Sequence, residues 1–222
     1  MAKLSGPRRA PRAGGPARQL VVLFHGVGAD GQDLISLAPP LAERLPHAAF
    51  VAPDAPDPCD MAPFGRQWFS LLDRRTDVLL AGVRAVAPTI DAFLDDELAE
   101  HGLTDADLGV ISFSQGTMTA LHVMLRRPRP PAALVCFSGA LLAPELLPKE
   151  IRSRPPVYLV HGELDQVVPC QAMPAAVAAL QAADVPVRWS VCHGLGHGID
   201  PAMLAPAAAF LETGFATARQ TR

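Results

Sequence analysis

Six short runs of apolar, β-favouring residues punctuate the chain. They are "LVVLF" (20–24), "AAFVA" (48–52), "DLGVISF" (107–113), "AALVCF" (132–137), "VYLV" (157–160) and "VRWSV" (187–191). In most of them the apolar residues stand at successive rather than alternate positions. A strand with one face in water alternates, whereas a strand covered on both faces need not. The runs therefore predict a parallel sheet with helices packed on both faces. Between them lie segments of helical character: one ending near 41–45, a long one over 77–100, and others over 115–127, 171–183 and 201–213. The long segment places Leu79, Leu80, Val83, Val86, Ile90, Phe93, Leu94 and Leu98 close to a helical period. Pro88 inside it predicts a kink or a break, and Gly102 just past it predicts a C-terminal cap. Strand and helix alternate along the whole chain, which argues an α/β fold. Residues 53–70, "PDAPDPCDMAPFGRQWFS", fit neither period and predict a long ordered loop. Loops of that length in a compact domain are more often functional than idle.

Composition narrows the picture without changing it. The chain has 222 residues, half of them hydrophobic, and 18% charged. That is enough apolar surface for one large core, and residues 19–222 are expected to form one domain. The first eighteen residues differ: Lys3, Arg8, Arg9, Arg12 and Arg18 are set among proline and glycine. This composition predicts a disordered basic tail over 1–18. The net charge of −3 gives no reason to expect nucleic acid as a partner. No apolar run approaches the ~20 residues of a membrane span, and the start has no apolar core of the kind a signal peptide carries. Cys59, Cys136, Cys170 and Cys192 have no C-x-x-C spacing. They read as reduced thiols of a cytoplasmic protein. No cofactor or metal is expected.

The chemistry gathers where strands end. In "VISFSQGTMT" (110–119) a buried run stops at Ser114, and helical character begins at Gln115. A tight strand-to-helix turn exposes a serine hydroxyl and needs small residues on either side; Ser112 and Gly116 are small. The helix behind it turns its N-terminal amides toward the hydroxyl. "FHGVGADG" (24–31) follows the first strong strand, and its glycines let the backbone approach a ligand closely. The amides of Val27 and Gln115 can then converge on one developing oxyanion. The loop is no Walker A motif, since no Gly-Lys-Ser/Thr follows. After 157–160, "VHGELDQVVP" places Asp165 at the same edge of the sheet, where it can orient an imidazole. After the last strand, "CHGLGHGID" offers His193 and His197, and either can serve as the base. The intervening glycines argue against a metal-binding helix. Serine, acid and histidine follow in the chain order of α/β-hydrolases.

At these residues the chain resembles a known family. "LFHGVGADG", "GRQWFSL", "SFSQGTM", "FSGALL", "VHGELDQVVP" and "GLGHGID" together are similar to the phospholipase/carboxylesterase group of small α/β-hydrolases, over about Gln19 to Phe215. The resemblance implies an α/β-hydrolase fold, nucleophile Ser114, acid Asp165 and base His197 rather than His193. It also implies an oxyanion hole from the Val27 and Gln115 amides. The implied activity is hydrolysis of carboxylic esters or thioesters through an acyl-enzyme. A lysophospholipase or acyl-protein thioesterase of the same fold is the alternative within the class. A non-catalytic binding protein on the same scaffold is the alternative outside it. The implied partner is a small-molecule ester or acylated substrate, and a homodimer is left open. Phe64, Trp68 and Val168 are expected to wall the acyl site, with Phe69 and Val167 beside them. The chain departs from the group at Ser112 and Thr117, where glycine is usual, and at Val27, where leucine is usual.

Overall fold

The computed structural model of the protein describes residues 3–220, so the expectations for the two residues at each end lie outside it. In chain order the strands are β1 (Arg8–Arg9), β2 (Gln19–Phe24), β3 (Ala48–Val51), β4 (Asp57–Pro58), β5 (Arg66–Gln67), β6 (Leu108–Phe113), β7 (Ala133–Phe137), β8 (Val157–Gly162) and β9 (Val187–Cys192). The helices are α1 (Gly31–Leu34), α2 (Ala38–Arg44), α3 (Thr76–His101), α4 (Gln115–Met124), α5 (Leu147–Glu150), α6 (Ala172–Ala182) and α7 (Leu204–Gln220). The main sheet runs β1-β3-β2-β6-β7-β8-β9. All neighbours in it are parallel except β1, which pairs antiparallel with β3. Among the described residues no helix is long and apolar enough to cross a membrane.

The uninterrupted apolar runs are explained by two cores. Leu20, Val22 and Phe24 of β2 face one of them, with Val83, Ile90 and Leu94 of α3, Leu121 of α4 and Leu180 of α6. Val21 and Leu23 face the other, with Leu41 of α2 and Leu211 and Phe215 of α7. Both faces are covered, so no position of β2 is left for a polar side chain beyond Gln19. The last strand, β9, lies at the sheet edge, and Trp189 and Val191 on it are exposed.

Three expectations need correction. Of the kink or break expected at Pro88, the break does not occur: α3 is a single helix of 26 residues that runs through it. Proline removes one hydrogen bond and leaves the carbonyl of Arg84 without its donor. Both residues are exposed, so water can serve that carbonyl, while buried Val86 and Ile90 hold the helix on either side. Gly102 does cap the helix, in the left-handed conformation with φ 65°.

The second correction concerns the basic N-terminal segment, which does not float as a solvated tail. Arg8 and Arg9 pair with Val51 and Phe50 along the free edge of β3. Leu4 is buried in the core, and the Arg8 guanidinium pairs with buried Glu97. Ladder bonds on a sheet edge need backbone and not an apolar pattern, so composition carries no sign of them. The third is that 53–70 is not wholly loop: β4 and β5 form a small antiparallel pair within it.

Candidate active site

The C-terminal ends of β2, β6, β8 and β9 meet at one edge of the sheet. Ser114 follows β6 directly and is the N-cap of α4. Its backbone sits at φ 55°, ψ −118°, a region that non-glycine residues rarely occupy. The Ser114 N–H donates to Phe137 O at 3.0 Å, which extends the β6–β7 ladder by one rung before the chain turns. Gly116 makes the turn sterically feasible. A Cβ there would lie 2.1 Å from Phe24 O, so α4 can pass this close to the end of β2 only with glycine.

The histidine loop reaches Ser114 by docking on the acid loop. Glu163 N donates to Cys192 O at 3.0 Å, and Leu164 N to Leu195 O at 2.8 Å. Gly162 lies beneath this contact; a Cβ on it would meet Gly196 O at 2.2 Å. The result is a continuous polar chain. His197 Nε2 is 3.0 Å from Ser114 Oγ, and His197 Nδ1 is 2.7 Å from Asp165 Oδ2. An ionised carboxylate only accepts, so Nδ1 carries the proton and the Nε2 lone pair faces the serine hydroxyl. Phe113 packs against the imidazole with ring centroids 4.8 Å apart. His193 lies outside this chain, on the surface, 3.3 Å from Glu163.

Asp165 is held from several directions. Oδ1 accepts the N–H groups of Val167 and Val168, both at 2.9 Å. Buried His161 approaches Oδ2 at 3.3 Å while bonding Val168 O at 2.8 Å. Burial alone would raise the Asp165 pKa. The His197 bond and the two backbone N–H groups outweigh it and hold the carboxyl below its usual range. The acid therefore stays ionised at neutral pH and below.

The loop that carries Val27 passes beside the serine: a Cβ on Gly26 would lie 3.2 Å from Ser114 Cβ. Among the described residues, neither the Val27 nor the Gln115 N–H has an acceptor in the surrounding turns and caps. The Gln115 side chain has a second task that sequence reasoning missed. Its Oε1 accepts from Trp68 N at 3.0 Å and its Nε2 donates to Phe69 O at 2.6 Å, so it ties the 66–70 segment to the start of α4. His25 is neutral, since burial lowers its pKa. Its Nδ1–H donates to Gly26 O at 2.7 Å, and its Nε2 accepts from Ala55 N at 3.0 Å.

The residues expected to wall the acyl site divide. Phe64 is 73% exposed. Trp68 instead lies in the core, against Phe24 and His25, and its Nε1–H donates to His25 O at 2.9 Å. Val168 is also buried, and both its N–H and its carbonyl are engaged within the acid loop. A large apolar side chain next to a catalytic motif reads the same in sequence whether it points out or in. Leu72, Leu164, Val167 and Met61 are other large apolar side chains exposed on loops.

The two departures from glycine prove to be partners. Ser112 Oγ and Thr117 Oγ1 lie 3.0 Å apart, and Thr117 Oγ1 also bonds Phe137 O at 3.0 Å. Thr117 donates to Phe137 O and accepts from Ser112, so both buried hydroxyls are hydrogen-bonded.

Comparison with known proteins identifies the family. The family model described as phospholipase/carboxylesterase matches residues 11–214. Esterase YpfH of Escherichia coli (strain K12) is 30% identical over 185 residues, spanning 83% of this chain and 78% of that protein. Acyl-protein thioesterase 1 of Saccharomyces cerevisiae is 28% identical over 171 residues, 69% of this chain and 73% of that one. The crystal structure of esterase PE8 superposes with a TM-score of 0.90 at 45% identity, covering 95% of this chain and 99% of that one. The chain has the α/β-hydrolase fold and belongs to the phospholipase/carboxylesterase family of carboxylic ester hydrolases.

Proposed function

We propose that the protein hydrolyses carboxylic esters or thioesters through an acyl-enzyme on Ser114. The observation that carries this reading is the relay from Ser114 Oγ through His197 to Asp165, on a serine held in a strained turn at a helix N-terminus. His197 Nε2 takes the hydroxyl proton as Oγ attacks the acyl carbon. The carbonyl oxygen gains the negative charge and is held by the Val27 and Gln115 amides, each worth about 3 kcal/mol in the transition state. The His197 imidazolium, stabilised by Asp165, then protonates the leaving alcohol or thiol. Water enters, loses its proton to His197, and releases the acid by the same route in reverse.

The esterase and the thioesterase among the relatives support a reaction at acyl carbon without choosing the leaving group. The exposed side chains of Phe64, Leu72 and Val167 favour an apolar acyl portion. The four free cysteines accord with a reducing, cytoplasmic setting.

Hydrolysis of short p-nitrophenyl esters tests the reading. kcat/KM is expected to rise with pH, because only a neutral imidazole accepts a proton from serine. Asp165 is held below the usual carboxylate range, so it adds no second ionisation between pH 5 and 8. One acid limb followed by a plateau is the expected profile. A flat profile, or no hydrolysis of any ester or thioester in a panel of chain lengths, contradicts the proposal.

A further inference from the structure

The oxyanion-binding role proposed for Val27 depends on a loop that pairs with the short strand β5 at a single residue, Arg66. Val27 lies between β2 and α1, and the direction of its N–H is set by the peptide planes around it. His25 Nδ1–H holds the Gly26–Val27 plane itself at Gly26 O, 2.7 Å away, and Arg66 holds the planes that follow it. Gly28 N donates to Arg66 O at 2.9 Å, and Arg66 N donates to Ala29 O at 2.8 Å. The pair forms an isolated antiparallel bridge between Ala29 and Arg66. Such a bridge fixes the loop only if Arg66 is itself fixed, and its side chain does that. Nε donates to Ala55 O and Nη2 to Pro56 O, both at 2.8 Å.

The segment that receives the guanidinium is anchored in turn. Ala55 N donates to His25 Nε2 at 3.0 Å, at the loop's beginning. Asp54 Oδ1 accepts from Gly31 N at 2.8 Å, at the loop's end. Asp54 N donates to Ser5 O at 2.8 Å, and Ala52 N to Pro7 O at 3.1 Å, so the N-terminal segment braces the assembly from behind.

We propose that Arg66 is a positioning residue for the oxyanion amide of Val27, clamping the 26–29 loop to the 52–56 segment through its backbone and its guanidinium together. The inference rests on the reading of Val27 as an oxyanion donor. Arginine suits the task because its rigid planar fork addresses two successive carbonyls at once, whereas a lysine ammonium sits on a flexible stem and lacks that fork. The benefit is catalytic because an oxyanion donor works only when it is already in place, and an error of about 1 Å at such a group costs on the order of 100-fold.

The test compares Arg66→Met and Arg66→Lys with the wild type. For a p-nitrophenyl ester, kcat is expected to fall about 30-fold in Arg66→Met and about 5-fold in Arg66→Lys, with KM held within about twofold. The rate of phosphonylation by a fluorophosphonate should fall by the same factors, since the phosphonyl oxygen needs the same donors. The acid limb of the pH profile should not move. Wild-type kcat in Arg66→Met overturns the inference, as does a loss wholly in KM, or a displaced acid limb, which would place Arg66 on the imidazole. Should Arg66→Met fail to fold, Arg66→Lys decides: lowered kcat at an unchanged melting temperature supports the clamp, and unchanged kcat overturns it. A wild type that takes no label on Ser114 defeats the underlying hydrolase reading. A labelled wild type matched in rate by Arg66→Met defeats the clamp alone.

Discussion

Asp165→Asn is expected to lower kcat about 10,000-fold while leaving the protein folded. The reason is the direction of one hydrogen bond. Asp165 Oδ2 accepts from His197 Nδ1 at 2.7 Å, which keeps the lone pair on Nε2, 3.0 Å from Ser114 Oγ. Asparagine has one oxygen and one NH2 group. Its oxygen can keep the two N–H groups of Val167 and Val168, which both bond Oδ1. The NH2 group then faces His197 and donates where the carboxylate accepted. The imidazole must answer with the other tautomer, and its Nε2–H can no longer take a proton from serine. The same exchange in serine proteases costs about 10⁴ in kcat at preserved geometry. Steady-state rates on a p-nitrophenyl ester check this, with a thermal melt as the control for folding. A loss below about tenfold would mean that Asp165 does not set the tautomer.

Arg127→Met is expected to cost about 3–5 kcal/mol of folding stability, at the opposite edge of the sheet. Arg127 follows α4 and is buried, with 4% of its side chain exposed. Its guanidinium meets Asp105 at 2.7 Å, Asp95 at 2.6 Å and Asp91 at 2.8 Å. Asp91 and Asp95 reach solvent and can hydrate if the cation is lost. Asp105 cannot, since it is buried and its remaining partner is the exposed Arg129 at 3.2 Å. Removal of the guanidinium therefore strands a buried carboxylate, which is more costly than never having had the pair. Urea unfolding at pH 7 measures the difference. Adding Asp105→Leu to Arg127→Met should recover a large part of it, because the stranded charge goes too. A single-variant cost below about 1 kcal/mol, or a double variant worse than the single one, would contradict this account.

How far the sequence reveals this protein follows from what each feature requires. Strands β2, β3, β6, β7 and β8 were legible because they are covered on both faces, and coverage demands unbroken apolar runs. The motifs around Ser114, Asp165 and His197 were legible because close approach demands glycine, as at Gly116 and Gly162. The N-terminal segment was not, since β1 is held by backbone bonds and by one arginine paired to buried Glu97. Trp68 and Val168 were expected at a substrate wall because proximity in sequence to a motif says nothing of which way a side chain turns. Ser112 and Thr117 each looked like a departure, and only their 3.0 Å contact reveals that they are partners. Arg66 stood inside a quoted motif, yet its partners at positions 28, 29, 55 and 56 are joined to it by backbone atoms, which leave no signature in residue type.

Three side chains that share one hydrogen-bonded relay should react as one device, and covalent labelling reads this most directly. Treated with a fluorophosphonate, digested and mapped by mass spectrometry, the protein is expected to carry a single phosphonyl group on Ser114. The same treatment of Ser114→Ala should leave the protein unmodified and without esterase activity. A label on any other residue, or ester turnover that survives in Ser114→Ala, would contradict the account.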